Sequence, residues 1–146
     1  MQSPQSAPPT LVPPANERIM AVLSHLSILV PHLGIILPLI LWLANLNNAP
    51  YAAYQSKQAF VFHLADIIVT WIIISIAVLM GFLSIGALAS GFVEGLVSLG
   101  VGFLGVILGL YLLHIGPIIY GIIGAVHVSS GRDFRYWLIG DWVQPD

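Results

Sequence analysis

The chain has no cysteine and very little charge: four Lys and Arg and six Asp and Glu among 146 residues. The missing cysteine excludes disulfides, thiolate metal sites and a cysteine nucleophile. Four basic residues and a formal net charge of −2 exclude nucleic-acid binding, which needs a basic stripe to neutralise phosphates. The charged share is 7%, against about 25% in ordinary soluble domains.

What fills the chain instead is apolar: 58% of residues are hydrophobic and the mean hydropathy is +0.97. A soluble fold of this size needs polar cover for its outer face. Lipid removes that need. The composition therefore predicts an all-α integral membrane protein in contact with the lipid bilayer, and a bacterial cytoplasmic membrane is the expected location. The opening "MQSPQSAPPTLVPPANERIM" lacks the basic start of a signal peptide. Its five prolines between Pro4 and Pro14 make residues 1–16 an extended, disordered Pro-rich tail.

Charges divide the rest into three apolar blocks, each long enough for the roughly 20 helical residues that a bilayer core requires. The spans fall at about 20–46, 58–82 and 101–128, so about three transmembrane helices are expected. In the first block Pro31 and Pro38 each remove a backbone donor and clash with the preceding turn. That block is either one kinked span or two half-helices folded back as a re-entrant hairpin. Between the second and third blocks, "LSIGALASGFVEGLVSLG" reads as a turn or short helix at the opposite surface. With three spans, Lys57, Arg132 and Arg135 share a face and Arg18 lies on the other; with the hairpin all four share one. Either way the positive-inside rule puts the C-terminus in the cytoplasm.

Gly102, Gly105, Gly109 and Gly116 lie within about 60° of one another at 100° per residue. Such a stripe allows close approach of another helix, whether from this chain, a second copy or a membrane protein partner. "GVGFLG" mimics a dinucleotide fingerprint, but inside an apolar helix it is a packing feature.

An ordered set of motifs runs along the chain: "SHLSILV", then Pro38 and Trp42 in "LPLILWL", then "SKQAFVFHL" and "GRDFRY". In this order they resemble the small Tic20-like membrane proteins, domain of unknown function 4870, over about Arg18 to Leu138. The resemblance implies a compact helical membrane domain over 17–138, with 139–146 a cytoplasmic aromatic tail, and carries no catalytic motif. The pattern departs from that family at Val61, His63 and Trp137.

Few residues are left to carry chemistry. His63 and Asp66 sit three apart on the second span and share a helix face. Intramembrane ionisable groups are costly and so are candidates for proton or ion handling; mutual neutralisation is the structural alternative. His32 and His114 each lie 13 residues, roughly 20 Å, from the inner markers Asn45 and His127. They can share a depth, as His63 and His127 can, and paired histidines on facing helices hold membrane haem. No cofactor is otherwise implied, and no metal site. Ser24, Ser27 and Ser75 lack a base and an orienting partner, so no enzyme activity is expected. Arg132, Arg135, Tyr136, Trp137 and Trp142 read as interface anchors.

Three functions compete. The first is a non-catalytic membrane protein that packs in or assists a larger assembly. The second is a transport or translocation component that uses His63 and Asp66. The third is a haem-binding redox subunit.

Overall fold

A computed structural model describes residues 12–88 and 91–144. Four α-helices follow in order: α1 (Ala15–Leu26), α2 (Ile36–Asn45), α3 (Pro50–Leu88) and α4 (Phe92–Ser129). Short 3-10 turns at Ser27–Leu29 and Leu33–Ile35 join α1 to α2, and no strand occurs among the described residues. Helices α3 and α4 are long and apolar enough to cross a membrane, over Pro50–Phe82 and Glu94–Ser129. At 1.5 Å per residue each stretch measures about 50 Å, well beyond a bilayer core of about 30 Å. Their exposed faces carry Ile68, Ile72, Ile76, Phe103, Leu104 and Leu108, an apolar belt suited to lipid and unsuited to water.

The first block is not a third long helix. Glu17 at the start of α1 caps the start of α3: its Oε2 accepts from the amides of Tyr51 (3.0 Å) and Ala52 (3.3 Å). These are orphan donors of a helix N-terminus, where a negative charge is stabilising. Arg18 Nη1 donates to the Ser129 carbonyl at the end of α4 (3.0 Å). Helix α2 ends at Asn45, just before α3 begins. Both ends of the block therefore lie at the same end of the α3–α4 pair, and the block takes the folded-back arrangement of two half-helices.

Proline chemistry explains the fold-back. Pro31 offers no amide hydrogen and pushes the residue before it out of helical space; Val30 accordingly sits at φ −103°, ψ 97°. His32 follows at φ +60°, in the left-handed region that residues with a Cβ rarely adopt. The amide of Gly34 closes the turn on the Val30 carbonyl (2.8 Å). Only glycine fits there, because a Cβ would overlap the Ser27 carbonyl oxygen. Pro38, expected to break the block as well, lies in the first turn of α2, where amides have no helical partner anyway. The expected tail over 1–16 falls largely outside the described residues. Its last part is ordered, since Ala15 and Asn16 belong to α1, with Pro14 as N-cap.

After α4 the chain turns at Gly131, φ +76°, and folds back across α1 and the start of α3. Phe134 and Tyr136 point inward, 7% and 1% exposed, while Arg135 and Trp137 between and beyond them face out. Tyr136 stacks on Phe62 of α3 at 3.9 Å between centroids. Tyr120 of α4 meets Phe62, Phe134 and Tyr136 edge-on at 5.2–5.8 Å, a geometry that aromatic quadrupoles favour. Ile139, Gly140 and Val143 are buried too, so the packed part of the chain does not stop at Leu138 but continues into the expected tail.

Polar side chains complete this junction. The amide of Gln55, fully buried, pairs with the backbone of Phe134: its nitrogen donates to the carbonyl (3.2 Å) and its oxygen accepts from the amide (3.2 Å). The same nitrogen donates to His25 Nε2 (3.3 Å). That fixes the His25 tautomer, so Nδ1–H donates to Tyr136 Oη (2.7 Å). Ser24 Oγ gives its proton to Met20 O (2.9 Å), so the Ser56 hydroxyl donates to Ser24 (2.7 Å). Gln58 donates to Gly140 O (3.1 Å) and Val143 O (3.3 Å). Burial lowers His25 to about 4 from its ordinary 6.5 and raises the Tyr136 phenol far above its ordinary range; both stay neutral at physiological pH.

Two outcomes follow from this packing. A Cβ at Gly124 would lie 2.9 Å from Phe134 Cε1 and 3.0 Å from His25 Nδ1, so Gly124→Ala should cost about 1–3 kcal/mol. Gly105→Ala, with nothing within 4 Å, should be neutral or slightly stabilising; unfolding in detergent measures both. On acidification the unfolded chain protonates His25 near 6.5 while the folded chain resists to about 4, so stability falls across that window. The full loss is about 3 kcal/mol, and pH-dependent melts of His25→Gln should be flatter than wild type there.

Candidate functional site

The tip of the α1–α2 hairpin meets α3 and α4 around a cavity of about 30 Å³. Pro31, His32 and Gly34 roof it, His63, Asp66 and Thr70 of α3 form one wall, and His114 and Pro117 of α4 form the other. Helical spacing puts His63, Asp66 and Thr70 on one face of α3. The fold-back supplies His32, and Pro117 sets the far wall one turn from His114.

His63 is 3% exposed; the Gly34 backbone lies near its ring, but neither ring nitrogen meets hydrogen-bond geometry among the described residues. Asp66 is half-buried. It lines this cavity and also an apolar groove of about 360 Å³ on the other side, walled by Phe62, Leu113, Tyr120 and Trp137. The expected His63–Asp66 pair is thus brought to one cavity without a direct hydrogen bond between the two side chains. His114 Nδ1 is occupied by its own helix, donating to Leu110 O (2.9 Å), and His32 lies edge-on to Trp71 at 6.5 Å. A space of about 30 Å³ has room for about one water and none for a porphyrin. His127, the other expected haem partner, is exposed and donates to Ile123 O (3.0 Å). Among the described residues no three His, Asp or Glu are grouped to hold a metal ion.

The remaining expected site residues divide. Gly102, Gly105, Gly109 and Gly116 have nothing within 4 Å of a Cβ position, so among the described residues the stripe packs on no other helix. A groove of about 710 Å³ lies between α3 and α4 beside Gly102. Close approach occurs further along α4, at Gly121 against Ile28 and at Gly124 against Phe134 and His25. Arg132 and Arg135 are exposed, and Trp137 and Trp142 are each 83% exposed. Tyr136 is not an anchor: it is 1% exposed and bonded to His25.

Sequence reasoning missed the junction of His25, Gln55, Gln58 and Tyr136. The signal that was available is the alternation Phe134–Arg135–Tyr136–Trp137, which sends successive side chains to opposite sides of an extended segment. Nothing local marks Gln55 and Gln58 as buried, because their backbone partners at Phe134, Gly140 and Val143 are remote in sequence.

No curated protein and no solved structure matches the chain. A family model described as the magnetosome magnetite crystal formation protein family, MamF/MmsF, matches residues 16–143. That span runs from the first turn of α1 to the last buried residue of the C-terminal segment. It corrects the Tic20-like resemblance: motifs such as "SKQAFVFHL" and "GRDFRY" mark the start of α3 and its C-terminal cover, places shaped by packing, and so do not single out that family. The chain belongs to the magnetosome magnetite crystal formation protein family.

Proposed function

We propose that this chain is a non-catalytic integral protein of the magnetosome membrane that acts in magnetite crystal formation by packing in, or assisting, a larger membrane assembly. The observation that carries the reading is the family match over 16–143, nearly the whole described chain. The structure is compatible with it in chemical character. The long helices present apolar side chains outward, while most buried polar side chains are used to hold the hairpin and the C-terminal segment together. The groove beside Gly102 and the uncovered glycine stripe leave room for a neighbouring helix.

In this reading α3 and α4 span, and the hairpin enters the bilayer and returns. Arg18 reaches Ser129, Lys57 Nζ donates to Gln144 O (3.1 Å), and Tyr51 Oη donates to Arg132 O (2.8 Å). Arg18, Lys57 and Arg132 thus gather at one end, with Arg135 three residues further on. By the positive-inside rule that end, with the C-terminus, faces the cytoplasm.

The absence of native cysteine makes the topology directly testable. Single cysteines at Asn16, Gln144 and Glu94, labelled with a membrane-impermeant maleimide, should give Asn16→Cys and Gln144→Cys the same sidedness and Glu94→Cys the opposite one. Opposite sidedness of Asn16→Cys and Gln144→Cys restores three spans and defeats the hairpin. The biological role is tested by deleting the gene in a magnetite-forming host and measuring crystals by electron microscopy. Altered crystal size, shape or number is expected, restored by the intact gene; crystals indistinguishable from wild type would remove the proposed role.

A further inference from the structure

We propose that the cavity beneath the hairpin tip is an intramembrane proton-binding site, in which His63 and Asp66 share one proton through a water held between them. The observation that points to a ligand is the orphaned imidazole: His63 is 3% exposed, lines the cavity, and has both ring nitrogens without a partner among the described residues. Buried polar atoms are ordinarily satisfied, and a polar cavity of this volume with several polar walls is what an ordered water requires. The second observation is the neighbour. Asp66 is the one formally charged side chain lining the cavity, and it lines the apolar groove behind it as well. A bare carboxylate between such surroundings within a membrane is costly, and it is relieved by a bound proton or an imidazolium partner.

The two states of the site differ only in where that proton rests. In one, Asp66 is the carboxylic acid and His63 is neutral. In the other, the acid O–H bond breaks as a His63 N–H bond forms across the water, leaving carboxylate and imidazolium. Both states have net charge zero, so the transfer leaves no uncompensated charge. The other titratable groups around the site are His32 from the hairpin tip and His114 from α4, which line the cavity, and His25 from α1; Tyr120 of α4 and Tyr136 of the C-terminal segment line the groove behind Asp66. His114 Nδ1 and His25 Nδ1 are committed elsewhere, to Leu110 O and Tyr136 Oη. His63 has the Gly34 backbone close by, but neither ring nitrogen is in hydrogen-bond geometry among the described residues. A purely structural pair would lock imidazole to carboxylate directly; here they flank a space instead.

The site does not depend on the magnetosome reading, and the test below is blind to crystal formation. The full chain in lipid nanodiscs is titrated with pH while infrared difference spectra follow the carboxylic-acid C=O stretch and ¹⁵N-histidine spectra follow the imidazoles. The expected result is an acid band abolished by Asp66→Asn, titrating in step with His63. Asp66→Asn should also lower the His63 midpoint by about one unit or more, since it removes a neighbouring anion. A His63 midpoint unchanged in Asp66→Asn, or an Asp66 band indifferent to His63→Gln, overturns the proposal. So does the absence of any protonation change at either residue while the protein stays folded. If Asp66→Asn does not fold, Asp66→Glu retains an acid and must retain the coupled titration; independent titration of Glu and His63 there overturns the proposal equally.

Discussion

The missing amide hydrogen of Pro31 governs the rest of this architecture. A helix from Ala15 that continued through residue 31 would be long enough to cross the bilayer and would separate the two ends of the first block. Because α1 and its 3-10 extension stop at Leu29 and Val30 turns extended, the chain returns, and α2 finishes where α3 starts. Glu17 can then cap α3, and Arg18 can reach the end of α4. The charge distribution follows from the same residue. Arg18, Lys57 and Arg132 are drawn to one end of the α3–α4 pair. Even His32 owes its place in the cavity roof to the left-handed turn that Pro31 begins.

A hairpin that stops partway needs something to hold it, because its outer face is apolar and lipid offers no hydrophobic force to press it against α3 and α4. The structure answers with polar and aromatic contacts. His25 is the centre of that arrangement: it accepts from Gln55, donates to Tyr136, and sets its ring edge-on to Phe134 at 5.5 Å. The C-terminal segment is thereby the third wall of the junction, clamping the hairpin from the side that α2 does not cover. Gly121 and Gly124 let α4 come close enough for this to work, with no side chain of their own between α4 and residues 25, 28 and 134. Removing the side chain at 136 would therefore loosen the hairpin, although Tyr136 lies after the last long helix.

How far the sequence discloses this depends on the range of the interactions involved. Helix class and the two long apolar helices are written in hydropathy and charge spacing, which are local quantities. The fold-back at Pro31 is half-visible: proline predicts a break, but whether the chain then continues or returns depends on which surfaces meet α3, and Gln55 and Tyr136 are remote in sequence from His25. Pro38 shows the converse error, since its position relative to the helix start decides whether it disrupts anything. The glycine stripe was read as packing from its angular spacing alone. In the structure the close contacts fall on Gly121 and Gly124, because a helix can be approached only where an approaching element exists. His63 and Asp66 were legible as a pair by their three-residue spacing, whereas His32 and His114 join them only through the tertiary turn.

The distribution of satisfied and unsatisfied polar groups separates scaffold from candidate site. Ser24, His25, Gln55, Ser56 and Tyr136 all find partners, and each bond joins or braces segments that would otherwise part. The buried polar atoms left over among the described residues are Arg18 Nε, Gln58 Oε1 and both ring nitrogens of His63. The first two belong to side chains whose other atoms are engaged, Arg18 with Ser129 and Gln58 with Gly140. His63 differs, because both ring nitrogens are buried and neither meets hydrogen-bond geometry among the described residues, the Gly34 backbone beside the ring included. Desolvating an imidazole without compensation is unfavourable, so packing alone would favour an apolar residue at this position.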